Sequence, residues 1–90
     1  MFEWDEAKAE TNLRKHGIDF RRAMEIWAGP YVVIPGRSVA GEDRSIAIGI
    51  IDGQAVAVVH TMRAGEVRII SARRARNDEK EAFENRANDR

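Results

Sequence analysis

The spacing of apolar side chains in the first third of the chain predicts an amphipathic helix. Between residues 20 and 28, apolar residues recur at i, i+3, i+4, i+7 and i+8, the period of a helix with one face in a core. They are Phe20, Ala23, Met24, Trp27 and Ala28. Asp19 is a suitable N-cap and Gly29-Pro30 a suitable end for this helix.

Polar residues predict another helix before it. Asp5 can accept hydrogen bonds from the first-turn amides, and Gly17 can adopt the left-handed conformation that ends many helices. The last turn then holds three side chains whose positive charge suits a helix C-terminus. They are Arg14, Lys15 and His16.

After Pro30 the pattern changes to short runs of apolar and β-branched residues, which favour strands. The runs are YVVI at 31–34, SIAIGII at 45–51, QAVAVVH at 54–60 and EVRIIS at 66–71. Asp52-Gly53 and Ala64-Gly65 are two-residue turn signals, so the last three runs form an antiparallel meander. The segment GRSVAGED at 36–43 is predicted to be an exposed loop.

A final helix is predicted from Asn77 or Asp78, where Asp78 and Glu81 have the spacing of a capping box. Ala82 and Phe83 are its main packing candidates. Together the elements predict a single α+β domain over residues 1–90. It has two N-terminal helices, a mainly antiparallel sheet of about four strands and one C-terminal helix, with the helices mainly on one sheet face.

Length and composition narrow the possible functions. Ninety residues make one domain with a small core. The chain has no cysteine and only two histidines, so we expect neither disulfides nor a metal or other cofactor. The first residues do not resemble a signal peptide and no run is long enough to span a membrane, so we expect a cytoplasmic protein without a membrane partner.

The distribution of charge is more informative than its sum. The net charge is zero, which argues against nucleic-acid binding because such domains are usually basic. Yet residues 37–76 contain seven arginines, four acidic residues and no lysine. Because a guanidinium can bind phosphate through two parallel hydrogen bonds, this stretch indicates an anion-binding surface.

Strand register brings several of these arginines together. With two-residue turns, Arg44 lies opposite Thr61, and Thr61 lies opposite Arg68. Side chains alternate between faces along a strand, so these three and Arg63 share one face of the sheet. The alternative is that the arginines are solvated or pair with nearby carboxylates such as Glu42, Asp43 and Glu66. His60 lies on the other face and is predicted to be a core-edge residue.

The first helix carries a polar stripe. Lys8, Asn12, Lys15 and His16 fall at i, i+4, i+7 and i+8, which places them on one helix face. His16 is the side chain there that can exchange a proton near neutral pH. The alternative is that these cations only compensate the helix dipole.

A third basic region lies where the last strand meets the last helix. Arg73, Arg74 and Arg76 could hold an RNA backbone there, because side chains and free amides can both meet an anion at such a place. The alternative is a merely basic connection.

Several stretches together resemble the BrnT family of toxins from bacterial type II toxin–antitoxin systems. They are FEWDEAKAETNLRKHGIDF, GEDR with IAIG, and RIISARRA followed by Glu79. The resemblance spans almost the whole chain. It implies a RelE-like α+β fold, ribonuclease activity that inhibits translation, and neutralisation by a BrnA-type antitoxin, through which alone the toxin would reach operator DNA.

The resemblance also implies site residues. By position they are Lys15, His16, Arg44, Arg68, Arg73 and Arg74, with Arg63 as a further candidate. Of these, Lys15, His16, Arg44, Arg68 and Arg73 are expected to be catalytic. Arg63 and Arg74, together with Lys8 of the polar stripe and Arg76 of the basic connection, are expected to bind RNA. The expected reaction is metal-independent cleavage of RNA by its own 2′-hydroxyl, with His16 as general acid or base. Phe83 departs from the family, in which tyrosine is expected at this position.

Two other functions are open from sequence alone. The chain could be a non-catalytic binding module whose arginine face docks an acidic partner or regulates transcription with its antitoxin. It could also be a gyrase-directed toxin on the same general fold.

Overall fold

A computed structural model of the chain describes residues 1–88 as a five-stranded sheet with helices on both faces. The elements are β1 (Phe2–Glu3), α1 (Glu6–His16), α2 (Phe20–Ala23), a 3₁₀ segment (Met24–Ala28), β2 (Tyr31–Pro35), β3 (Ser45–Ile51), β4 (Gln54–Arg63), β5 (Glu66–Arg74) and α3 (Asn77–Asn88). The α+β class is therefore as predicted. Among the described residues, no helix is long and apolar enough to cross a membrane.

The sheet has the order β1-β5-β4-β3-β2. Strands β2 to β5 are antiparallel, whereas β1 runs parallel to β5, with Phe2 opposite Val67 and Glu3 opposite Arg68. The prediction of about four strands missed β1. Two residues are too few to show an alternating pattern, and this strand forms only through pairing with a distant partner.

Both predicted hairpin turns are confirmed. Asp52-Gly53 and Ala64-Gly65 each have two positive φ angles, as a type I′ turn requires. Ile51 consequently lies opposite Gln54, and Arg63 lies opposite Glu66. The two-residue loops fix the register on which the arginine row depends.

The first helix also begins and ends as predicted. The Asp5 side chain accepts hydrogen bonds from the amides of Ala7 and Lys8, and Gly17 has a φ of 73°. The Gly17 amide donates to the carbonyl of Leu13 at 2.8 Å. Lys15 and His16 therefore occupy the last turn of α1.

The second predicted helix changes form after Ala23. From Met24 it continues as a 3₁₀ segment, which has three residues per turn. The buried residues are accordingly three apart, at Phe20, Ala23 and Ile26, while the predicted stripe residue Ala28 is exposed. Gly49 of β3 permits this approach, because a Cβ there would lie 2.7 Å from the Cβ of Ile26.

The helices lie on both faces of the sheet, which corrects the prediction of one covered face. One core contains the apolar residues of α1, α2 and the 3₁₀ segment, packed on Ala47, Val56 and Val58. A second core lies on the opposite face, where Phe83 of α3 packs near Ile48. Because β3 and β4 carry apolar side chains at consecutive positions, both faces require a cover.

The start of α3 is fixed by Glu79 rather than by the predicted Asp78–Glu81 capping box. The Glu79 carboxylate accepts a hydrogen bond from the Arg76 amide at 2.8 Å. It lies three residues beyond Arg76, which is the capping-box spacing two residues earlier than expected. The prediction failed because the glutamate in this position also binds an arginine of β5.

Candidate functional site

A groove lies between α1 and the part of β5 that follows its short pairing with β1. It contains His16, the predicted proton-transfer group. Its lining consists of Ala7, Lys8, Thr11, Asn12, Lys15, His16, Ile70 and Ser71. Three of the residues predicted to act on RNA, Lys8, Lys15 and His16, are therefore brought together and are exposed. Within residues 1–88, no arginine lines this groove.

Asn12 attaches the helix to the strand beneath the groove. Its amide nitrogen donates to the carbonyls of Ala72 and Ile18, at 2.9 and 3.0 Å. Its amide oxygen accepts from the Ala72 amide at 3.1 Å. Asn12 thus pairs with the backbone groups of Ala72 that a neighbouring strand would otherwise bind. Because His16 lies one turn further along the same helix face, this attachment also fixes the position of His16.

A β-bulge in β5 shapes the floor of the groove. Val59 lies opposite Ser71 and His60 lies opposite Ile69, so Ile70 has no partner in β4. Ile70 and Ser71 are also the two β5 residues that line the groove. A bulge next to a groove is a common device for redirecting side chains.

The predicted arginine row is present on the sheet face away from α1 and α2. Thr61 lies opposite Arg68, and Arg44 directly precedes β3, whose first residue Ser45 lies opposite His60. Arg63 is two residues beyond Thr61 and so shares its face. Both hairpin turns have two residues, as predicted, which confirms that these side chains lie on the same face of the sheet.

Each arginine of this face has a carboxylate near it. The Arg68 guanidinium donates to Glu3 at 3.0 Å. Arg44 and Arg63 lie 3.6 and 3.9 Å from the two carboxylate oxygens of Glu42. Pairing with nearby acids, the alternative considered for these arginines, is therefore also found.

Arg73 is the most strongly paired of the predicted site residues. Its two terminal nitrogens donate to the two carboxylate oxygens of Glu79 at 2.7 and 2.9 Å, and only 3% of the Glu79 side chain is exposed. The hydrogen bonds from Arg73 lower the pKa of Glu79, and those bonds raise the pKa of Arg73. The pair attaches α3 to β5.

The remaining basic residues lie around this connection. Arg74 and Arg76 are exposed. Arg74 lines a second cavity with Lys80 and Phe83 beside the β3–β4 turn. These two arginines are therefore not placed in the α1 groove.

The floor of the groove lies between two of the arginines along β5. Arg68 precedes Ile70 by two residues, and Arg73 follows Ser71 by two residues, so the groove floor lies between them in the same strand. Residues in a strand are about 3.3 Å apart. Arg68 and Arg73 are thus each two positions along the strand from a residue of the groove floor.

His60 is the core-edge residue that the sequence predicted. It is 5% exposed, and its ring packs edge-on against Trp27 with centroids 5.2 Å apart. Burial lowers the pKa of His60. It takes no part in the groove.

Sequence reasoning missed the partners that hold these side chains in place. Glu3 and Glu42 were not connected with particular arginines, and Asn12 was taken only as part of a polar stripe. The signal for Glu79 was its distance of three residues from Arg76. The partner of Asn12 lies 60 residues away, so no local pattern could have identified it.

The fold and these side chains define a small α+β protein with a cationic groove and an arginine-bearing sheet face, surfaces that attract polyanions. The chain belongs to the BrnT family. Residues 4–79 match the family model described as the ribonuclease toxin BrnT of a type II toxin–antitoxin system. The resemblance seen in the sequence is thereby confirmed, and the family implies an antitoxin partner.

A solved structure supports the assignment. The crystal structure of the Brucella abortus ribonuclease toxin BrnT is 33% identical to this chain, with a TM-score of 0.70, and the match covers 86% of this chain and 99% of that one. A search of curated proteins found no match.

Proposed function

We propose that this chain is a metal-independent endoribonuclease that inhibits translation, with its reaction centre in the groove between α1 and β5. The observation that carries the proposal is the position of His16. Its groove has a floor formed by Ile70 and Ser71, and these residues lie between Arg68 and Arg73 on one strand. A proton-transfer group and guanidiniums thus adjoin a single extended track.

The proposed reaction requires only the substrate, these side chains and a water molecule that carries the second proton. The RNA 2′-oxygen attacks the adjacent phosphorus and loses its proton, while the bond from phosphorus to the 5′-oxygen breaks and that oxygen gains a proton. The products are a 2′,3′-cyclic phosphate and a 5′-hydroxyl. His16 performs one of the two proton transfers, and Lys15 beside it holds a phosphate oxygen.

Arginines stabilise the charge that develops on the non-bridging oxygens. Arg44 and Arg68 are assigned this role, since fixed donors directed at developing charge often contribute most to such reactions. Arg73 is assigned it as well, and exchanges one of its two carboxylate hydrogen bonds for one to phosphate. Lys8, Arg63, Arg74 and Arg76 hold the flanking RNA backbone without base specificity.

The partner in this proposal is a BrnA-type antitoxin, which neutralises the toxin and connects it with operator DNA. Co-expression with such an antitoxin should restore growth and yield a complex that co-purifies. Growth arrest that persists despite a stable complex would contradict neutralisation by that partner.

Cleavage of labelled RNA in the presence of EDTA tests the catalytic proposal. We expect fragments that end in a 2′,3′-cyclic phosphate, identified by mass spectrometry. A substrate with a single 2′-deoxy nucleotide at the cleaved position is the matched control and should remain intact. Fragments with 5′-phosphates, or cleavage abolished by EDTA, would contradict the proposed chemistry.

One observation favours the binding module as a second candidate. Arg68 and Arg73 already have carboxylate partners at 3.0 Å or less, which is typical of structural ion pairs. Tight antitoxin binding by a protein that leaves RNA intact would favour this function. A supercoiling assay with DNA gyrase tests the gyrase-directed alternative in the same preparation.

A further inference from the structure

Glu42 lies between two arginines of the sheet face without binding either of them closely. Its oxygen Oε1 is 3.6 Å from Nε of Arg44, and its Oε2 is 3.9 Å from a terminal nitrogen of Arg63. Charge-assisted hydrogen bonds between such groups are normally about 2.7–2.9 Å long. One carboxylate therefore spans two guanidiniums and forms a good hydrogen bond with neither.

One nitrogen of Arg44 lacks a hydrogen-bond partner in this group of side chains. Its Nε is buried and has no hydrogen-bond partner among the described residues, although 26% of the side chain as a whole is exposed. Buried donors are almost always paired, so an unpaired one requires an explanation such as a ligand. Oε1 of Glu42 lies 3.6 Å from this Nε, so an anion that took the place of the carboxylate could pair with it.

The backbone that carries Glu42 is well held. Val39 and Glu42 exchange two backbone hydrogen bonds, at 2.9 and 3.1 Å, across a turn formed by Ala40 and Gly41. The hydroxyl of Thr61 donates to the carbonyl of Asp43 at 2.9 Å. Because the backbone is anchored on both sides, the Glu42 side chain can rotate away without any change in the sheet.

We propose that Arg44 and Arg63 form a phosphate subsite that Glu42 occupies in the free protein and leaves when an RNA phosphate binds. The inference deepens the proposed function and rests on it for the identity of the ligand. A phosphodiester group presents two anionic oxygens, as the carboxylate does, and can approach both guanidiniums. Glu42 thus acts as an internal competitor that weakens RNA binding at this position.

The two arginines have different parts in this subsite. Arg44 is half-buried and supplies the unpaired Nε, which pairs with the phosphate oxygen that takes the place of the Glu42 carboxylate. The Arg63 side chain is 57% exposed, so it can follow the phosphate as it enters. Thr61 keeps the loop in place and is not itself a phosphate ligand, since its hydroxyl is already bound to Asp43.

Titration with inorganic phosphate tests the subsite independently of RNA cleavage. The Arg44 Nε–H signal in ¹⁵N NMR spectra should shift with phosphate, and Glu42→Gln should lower the dissociation constant about fivefold, the ratio expected when an exposed ion pair no longer competes. Glu81→Gln is the matched control, because Glu81 is exposed on α3 and forms no ion pair within residues 1–88. It removes the same charge and should change the dissociation constant little.

Equal effects of the two substitutions would show that only net charge matters, and would overturn the proposal. So would a phosphate titration that leaves the Arg44 signal unchanged in both wild type and Glu42→Gln. Adding Arg63→Gln to Glu42→Gln should remove the gain in affinity, and this exposed residue can be replaced without loss of folding. A gain that persists in the double variant would exclude Arg63 from the subsite.

Failure of this inference can be separated from failure of the proposed function. If RNA is cleaved but Glu42→Gln has no specific effect on phosphate binding, the subsite is wrong and the ribonuclease stands. If Glu42→Gln binds phosphate more tightly but no RNA is cleaved, the subsite stands as an anion site and the catalytic proposal is wrong.

Discussion

Arg68 and Arg73 lie on the same face of the sheet although five positions separate them in β5. Arg68 is opposite Thr61 and Arg73 is opposite Ala57, and these two β4 residues share a face because they are four apart. In a regular strand, residues five apart point to opposite faces. The bulge at Ile70 adds the residue that reverses the parity, so Ala72 enters the core and Arg73 remains at the surface near α3.

Replacing His16 tests the assigned proton transfer. His16→Ala should reduce RNA cleavage by a factor of about 100 to 10,000, the usual contribution of a positioned acid or base, and should relieve growth arrest. The side chain is exposed, so the circular dichroism spectrum and thermal unfolding should stay as in the wild type. Single-turnover cleavage rates measure the effect.

Arg14→Ala is the control for this experiment. Arg14 is exposed in the same helical turn but does not line the groove, so its loss should leave the cleavage rate near that of the wild type. Undiminished toxicity of His16→Ala in a folded protein would contradict the assignment.

The features that the sequence predicted well are those decided by nearby residues. Asp5 and Gly17 determine the ends of α1 through contacts within one turn, and Asp52-Gly53 determines its hairpin by backbone conformation alone. From that turn and the one at Ala64-Gly65, counting residues was enough to place Arg44 and Arg68 on the same sheet face. Local chemistry was sufficient in each case.

The features that were missed depend on contacts between distant parts of the chain. Strand β1 exists because Phe2 meets Val67, and the 3₁₀ segment follows from the close approach of Ile26 to Gly49. The bulge at Ile70 could not be predicted, because no glycine or proline lies beside it in the sequence. The sequence placed His16 on the correct helix face. It could not show that the groove beside it would be lined by Lys8 and Lys15 and, among residues 1–88, by no arginine.

Removing the Asn12 side chain should destabilise the fold. Asn12→Ala leaves the amide and the carbonyl of Ala72 without partners at the edge of β5, and each unpaired buried group costs about 1–3 kcal/mol. We expect a loss of about 2–4 kcal/mol in the free energy of unfolding, measured by urea denaturation. Amides of β5 near Ala72 should also lose protection from hydrogen exchange.

Thr11→Ala provides the comparison for Asn12. The Thr11 hydroxyl donates to the Ala7 carbonyl within α1, a bond that does not join α1 to β5, so its loss should cost well under half as much. Similar losses for the two variants would mean that the attachment of α1 to β5 does not depend on Asn12.

The ion pair between Glu79 and Arg73 should make stability depend on acidic pH. The pKa of Glu79 is lowered in the folded protein, so the pair stabilises the fold above the ordinary carboxyl pKa and this contribution disappears as pH falls through the lowered value. Glu79→Gln should lose about 3 kcal/mol at pH 7, because it leaves the half-buried Arg73 charge without its carboxylate partner. Urea denaturation at pH 7 and pH 3 should show the difference from wild type shrinking in acid.

Glu81→Gln, at an exposed position of the same helix, should differ little from wild type at either pH. If Glu79→Gln were equally destabilised at pH 7 and pH 3, the carboxylate charge would not be the source of the stability.

His60 should cause a second loss of stability, in a higher pH range. Burial lowers its pKa in the folded state, so folding favours the neutral imidazole. The contribution of the neutral imidazole to the free energy of unfolding is fully present above the pKa of histidine in the unfolded chain, about 6.5. It is lost as pH falls through the lower pKa of His60 in the folded protein. The slope for one such proton can reach about 1.4 kcal/mol per pH unit.

Replacing His60 by phenylalanine should remove this slope, because a phenyl ring can keep the edge-on contact with Trp27 but cannot be protonated. Unfolding free energies of wild type should fall between pH 7 and pH 5, whereas those of His60→Phe should stay nearly constant over that range. His16→Ala is the control histidine replacement and should retain the slope of the wild type. A slope that persists in His60→Phe but disappears in His16→Ala would place the titrating group in the groove, and the buried histidine would then not be the source of the pH dependence.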